Sequence, residues 1–228
     1  MAILVGIDGT GGEFTPGAGR DARYDVDFAD SFVSRLCGRG RPGTAYWRGP
    51  VALGGGLVPA IKGAYNYIVE RRRQNSSDPV LLTGYSRGAA GVVSLAKKLK
   101  DNNINVRAML LFDCVDRHMF IDADVIPNNV GFVHHVIRDP ASGSRGSFGN
   151  DGMNSSAPTV YPAPYTFMCT HGGMGGCPWV PEPGVATSTL IDEGGVDGMT
   201  NISYAADALV STQVWNFCQP FMCTHGFI

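Results

Sequence analysis

A hydroxyl, an imidazole and a carboxylate can together carry out acyl transfer when the chain brings them into hydrogen-bond contact. The hydroxyl is offered by "PVLLTGYSRGAAGVVSLAKKLK", in which Gly84, Tyr85, Ser86, Arg87 and Gly88 form a GxSxG. An apolar run precedes the motif and an amphipathic run follows it, so Ser86 belongs at a strand-to-helix turn that lifts its hydroxyl clear of a sheet edge. The next backbone N–H, that of Arg87, then faces an oxyanion developing at the helix N-terminus.

Ser86 needs a base, and the base needs a carboxylate to fix its tautomer. The strand after the motif, "VRAMLLFDCVD", ends in Asp113, with Asp116 three residues further on. Asp113 closes the apolar run directly and is the first choice for the acid; Asp116, able to cap the following turn, is the alternative. Of five histidines, His118 lies too close to this strand to come from a separate loop. His134 and His135 are adjacent in "VGFVHHVIRD", where strand alternation sends them to opposite faces, so at least one is a packed residue. The last two share one hexamer: "FMCTHG" occurs at 167–172 and again at 221–226. His171 ends an apolar run, enters "GGMGG" and precedes the helical pattern "NISYAADALVSTQVWNF"; His225 follows that pattern, at a terminus expected to fray. The reading is therefore Ser86 as nucleophile, Asp113 as acid and His171 as base.

These residues must be positioned by a scaffold. Short apolar runs bounded by Gly or Pro alternate with helical patterns, which predicts an α/β fold with a mostly parallel sheet flanked by helices in one domain. Strands are expected near 2–8, 43–48, 79–84, 106–113, 130–138 and 165–170. "GLVPAIKGAYNYIVERRR" repeats apolar residues at Ile61, Ala64, Tyr65 and Ile68, and the run after Ser86 does so at Val92, Leu95, Ala96 and Leu99; both read as helices packed on the sheet. The stretches 139–164 and 178–200, rich in Gly, Ser, Pro and Asn, show neither period. They flank the first hexamer and are expected to cover a site.

Composition excludes several classes. The 228 residues carry 18 basic and 20 acidic side chains, and the longest basic run, "ERRRQ", ends a predicted helix, so no nucleic-acid partner is expected. No basic leader precedes an apolar stretch and no segment reaches the length of a membrane span, which predicts a cytoplasmic protein or one exported by a signal-less route. The six cysteines lie mostly in apolar runs and read as buried thiols. Cys169, His171 and Cys177 have metal-like spacing but no CxxC beside them, so neither a metal nor another cofactor is expected. Oligomeric state leaves no mark.

Four stretches together, "GIDGTGG" at 6–12, "GYSRGA" at 84–89, "FDCV" at 112–115 and "THGGMGG" at 170–176, resemble a family of bacterial α/β-hydrolases that includes type VI secretion phospholipase effectors. Its members carry phrases such as "FDGTGN", "GFSRGA", "DTV" and "GxHxDVGGGY" in that order. The resemblance implies an α/β-hydrolase fold and the Ser86, Asp113, His171 triad, with the Asp8–Gly9–Thr10 turn near the oxyanion, so Gly9 and Thr10 join Arg87 as oxyanion candidates. It also implies an ester or lipid-ester substrate, peripheral membrane contact among the options. Two positions depart from the pattern: Gly173 stands where the family has Asp, and Cys114 where it has Thr. "VGIDGT" is similar to the start of haloacid-dehalogenase phosphatases as well, but their nucleophilic Asp is matched by Gly6, and the glycine-rich turn lacks the Lys of a phosphate-binding loop. A hydrolase fold serving only as a binding protein is the remaining alternative class.

Overall fold

The computed structural model describes residues 1–11, 18–38, 41–115, 117 and 121–228. Asp116 and His118 lie outside the described residues. In chain order the elements are β1 (Ile3–Ile7), α1 (Ala18–Asp27), α2 (Phe32–Cys37), β2 (Thr44–Trp47), α3 (Leu57–Gln74), β3 (Val80–Tyr85), α4 (Arg87–Lys100), β4 (Val106–Phe112), β5 (Val125–Ile126), β6 (Val130–Arg138), β7 (Asn154–Ser155), β8 (Tyr165–Phe167), α5 (His171–Met174), β9 (Leu190–Asp192), β10 (Met199–Ser203) and α6 (Tyr204–His225).

Six strands form one parallel sheet in the order β2-β1-β3-β4-β6-β8. Strand alternation divides their apolar side chains between two layers. Ile3, Val5, Ile7, Leu82, Met109 and Leu111 face α3 and α4. Leu4, Leu81, Leu110 and Phe112 face the side of α2, α5 and α6, packing with Phe32, Met174 and Val214. On α4, Val92, Leu95, Ala96 and Leu99 are all buried, as the helical spacing requires. A fully buried Leu contributes about 1.5–3 kcal/mol, and both layers hold many such residues.

β1 is flanked by β2 on one side and β3 on the other, so the direction of winding reverses there. In parallel sheets this switch point opens a crevice at the carboxyl ends of the strands, where ligands bind. Gly88 lets the start of α4 reach the end of β1: a Cβ at 88 would collide with the carbonyl oxygens of Ile7 and Asp8. The turn after β1 and the turn after β3 are thereby brought side by side.

Three features differ from the sequence reading. The last strand, expected over 165–170, is only the three residues of β8, at the sheet edge and mostly exposed. The irregular stretches hold short elements of their own, β7 in the first and the antiparallel pair β9–β10 around the end of the second. The final helix runs through His225 instead of stopping near 217, and Phe227 beyond it is fully buried, its carbonyl accepting from Arg41 at 3.0 Å. Apolar residues continue past 217, so the tail docks on the body and does not fray.

Candidate active site

The carboxyl ends of four adjacent strands deliver the candidate residues. Ser86 follows β3, Asp113 follows β4, Arg138 ends β6, and His171 lies four residues past β8 as the first residue of α5. The Ser86 Oγ stands 2.8 Å from His171 Nε2, and His171 Nδ1 stands 2.6 Å from Asp113 Oδ2. All three residues are buried. Ser86 sits at φ 57°, ψ −131°, and Asp113 at φ 45°, both on the left-handed side that a side chain disfavours. These turns swing the two side chains towards His171.

Asp113 carries more partners than an imidazole. Arg138 Nη1 donates to both its carboxylate oxygens at 2.8 Å, and Asn150 Nδ2 donates at 2.9 Å. Burial pushes the acid up, but hydrogen bonding and charge from His171 and Arg138 outweigh it and hold Asp113 well below the usual carboxylate range. A carboxylate shifted this way lends stability that is present above its unfolded value and lost as pH falls through its folded one. Asp113→Asn leaves the Arg138 guanidinium buried without its counter-charge. It is expected to cost about 3–5 kcal/mol of stability, read as a lowered urea midpoint.

The histidine loop is fastened by a residue that sequence reasoning missed. Asp207, fully buried in the first turn of α6, accepts from Thr170 N and Thr170 Oγ1 at 2.8 Å, from Trp179 N at 3.0 Å, and from the Cys169 thiol at 3.2 Å. Gly173 is what admits it, since a Cβ there would collide with the Asp207 carboxylate and Cys169 Sγ. Ser144 Oγ accepts from His171 N at 2.8 Å, and the Tyr85 hydroxyl donates to the His171 carbonyl at 2.9 Å. Asp207→Asn keeps the volume but cannot accept all four donors. Turnover is expected to fall roughly 100-fold through misplacement of the imidazole, with kcat affected more than KM; steady-state kinetics on one ester checks this.

Among the oxyanion candidates, the Gly9 N–H donates to Asp8 Oδ1 at 2.9 Å. Thr10 N–H and Arg87 N–H have no acceptor among the described residues, and Thr10, Ser86, Arg87 and His171 line one cavity of about 400 Å³. Asp8 itself is fully buried, accepting from Ser31 Oγ and, at 2.9 Å, from the Tyr46 hydroxyl. Burial, opposed by these three hydrogen bonds, pushes its pKa up to about 6.

The other histidines are placed elsewhere. His135 is buried, accepting from Cys114 N at 3.2 Å and contacting the Tyr161 hydroxyl at 3.0 Å; burial lowers its pKa to about 4. His134 lies on the opposite face of β6 among Tyr165, Phe217 and Phe221. His225 packs between Phe132 and Phe221. Of the metal-like set, His171 has both ring nitrogens engaged and Cys169 donates to Asp207, and among the described residues no three His, Cys, Asp or Glu side chains converge on a common point. All six cysteines are free thiols. No described helix is long and apolar enough to cross a membrane.

The fold and this site define an α/β protein with a parallel sheet and a Ser–His–Asp hydrogen-bonded chain at its switch point. No protein-family model matches the chain, and no curated protein matches it. Solved structures align with parts of it. One is an α/β-hydrolase superfamily protein from Enterococcus faecalis, 13% identical over 50% of this chain and 39% of that one, with a TM-score of 0.30. Another is the RedJ thioesterase of prodiginine biosynthesis from Streptomyces coelicolor, 19% identical over 51% of this chain and 44% of that one, TM-score 0.29. A third is an esterase from Rhizomucor miehei, 16% identical over 54% and 38%, TM-score 0.30. The chain spans less than half the length of each. These alignments are partial and distant, and the fold class rests on the sheet itself.

Proposed function

We propose that the chain is a serine hydrolase of carboxylic esters, acting through an acyl-enzyme on Ser86. The observation that carries this reading is the unbroken contact from Ser86 Oγ to His171 Nε2 at 2.8 Å and from His171 Nδ1 to Asp113 at 2.6 Å. In the first half-reaction His171 takes the Ser86 proton through Nε2 as Oγ attacks the ester carbonyl, and Asp113 stabilises the imidazolium. The oxyanion is met by the N–H groups of Arg87 and Thr10. The proton then passes from Nε2 to the departing alkoxide. Water, activated by the same imidazole, releases the acid and restores Ser86. No step draws on a cofactor.

A fluorophosphonate probe tests the reading directly. It is expected to label the folded protein on one serine, mapped to Ser86 by peptide mass spectrometry. Folded protein that stays unlabelled and hydrolyses no p-nitrophenyl ester would mark a binding protein built on a hydrolase fold.

A further inference from the structure

The apolar part of the wall around Ser86 is mostly aromatic. Phe28, Tyr85, Phe148 and Trp179 line the cavity of about 400 Å³ that holds Ser86 and His171, and among the described residues no Leu, Ile, Val or Met joins them. The core layer under α3 and α4, by contrast, is built mainly of Val, Leu, Ile and Ala. The charged side chains of the lining, Asp27 and Glu193 against Arg87 and Arg145, sum to zero, and the Glu193 carboxylate lies 3.8 Å from the Arg145 guanidinium. Among the described residues, the cavity therefore offers flat apolar walls and no net charge.

The four rings come from separate segments, and each is held in place. Phe28 stacks on Tyr24 with centroids 4.2 Å apart and 6° between planes, and the Tyr24 hydroxyl accepts from Gly49 N at 2.8 Å. The Tyr85 ring lies 5.0 Å from that of His171, and its hydroxyl donates to the His171 carbonyl. Phe148 meets the His171 ring edge-on at 5.3 Å, and its carbonyl accepts from Arg138 Nη2 at 2.7 Å. Trp179 is fixed through its backbone N–H, which donates to Asp207 at 3.0 Å. Phe28, Phe148 and Trp179 are each only partly buried, so ring surface stays open to the cavity.

Fixed aromatic walls favour a flat ring over a flexible chain. A ring placed against them makes stacked or edge-on contacts that add to the effect of its buried area, whereas an alkyl chain gains by area alone and loses rotamer freedom when it is held. We propose that the ester turned over at Ser86 is uncharged and carries an aromatic ring close to the ester group, seated against Phe28, Phe148 and Trp179. This rests on the ester-hydrolase reading above and adds the substrate class.

The test uses pairs of esters matched in carbon count. Benzyl acetate is set against cyclohexylmethyl acetate, with the ring on the alcohol, and ethyl phenylacetate against ethyl cyclohexylacetate, with the ring on the acid. Each rate is divided by that ester's own alkaline hydrolysis rate. The saturated ring has the larger apolar surface in each pair, so burial alone favours it. The flat ring is instead expected to lead by about fivefold or more in kcat/KM in at least one pair, and that pair identifies which half of the ester the walls hold. Adding a carboxylate to the ring, as in 4-(acetoxymethyl)benzoate, should bring no gain over benzyl acetate. Trp179→Leu and Phe28→Leu keep an apolar wall without its ring, and at least one of them should bring the flat-ring lead back towards unity. The ratio is read within each variant, so a loss common to both esters cancels, and the wild-type comparison decides even if a variant does not fold. The inference is overturned if the saturated ring is equal or better in both pairs, if the charged ester is the faster one, or if the lead survives in both variants. Those failures are distinct from failure of the hydrolase reading, in which fluorophosphonate leaves Ser86 unlabelled and no ester of either kind is turned over.

Discussion

Ser86→Ala is expected to lose roughly 10⁴ to 10⁶ in turnover while unfolding at nearly the wild-type temperature. The kinetic loss follows because removing the hydroxyl removes the proposed attacking atom, and among the described residues no other hydroxyl contacts His171 Nε2. The small stability change follows because, among the described residues, the Ser86 Oγ has one hydrogen bond, to that same nitrogen, and alanine fills the rest of the side-chain volume. The pairing of outcomes is the informative part. Esterase assays and thermal denaturation on one preparation read both, and a variant keeping a tenth of wild-type activity contradicts nucleophilic catalysis by Ser86.

The second large effect is predicted for the twin hexamers. His171→Ala should be as inactive as Ser86→Ala, since a base must lie within about 3 Å of the proton that it takes and, among the described residues, His171 is the one imidazole that does. His225→Ala should change turnover less than about twofold. Its ring packs on Phe132 and Phe221, away from Ser86, so its loss should appear in stability, by about 1 kcal/mol for a partly buried ring. Parallel assays of the two variants decide the matter, and an inactive His225→Ala beside an active His171→Ala would contradict the site as described.

That pair also marks the boundary of what was legible in the sequence. Phe167 to Gly172 runs from strand through an irregular link into the first turn of α5, while Phe221 to His225 is the last turn of α6. Six identical residues thus take two conformations, because local preference is weak and the surrounding packing decides. What could be read were features with a local signal: six apolar runs became the six strands of the sheet, and the turn chemistry around Ser86 placed it between β3 and α4. Arg138, Asn150, Asp207 and Glu193 had none. Asp207 sits in an ordinary amphipathic pattern 36 residues beyond His171, and Arg138 closes a strand like any surface arginine. Their roles arise only when distant segments converge, which no spacing along the chain encodes. The length of β8 was misjudged for a related reason: an edge strand ends where its neighbour stops offering partners, not where the apolar residues stop.

The backbone at Ser86 carries a consequence for directed evolution. A non-glycine residue in such a conformation costs of order 1–3 kcal/mol, and at φ 57°, ψ −131° glycine would relieve it. Libraries ranked by heat resistance alone will therefore tend to enrich Ser86→Gly, a hardier protein without the proposed nucleophile. Here durability and turnover pull on the same residue, so selections for a robust variant must score both at once.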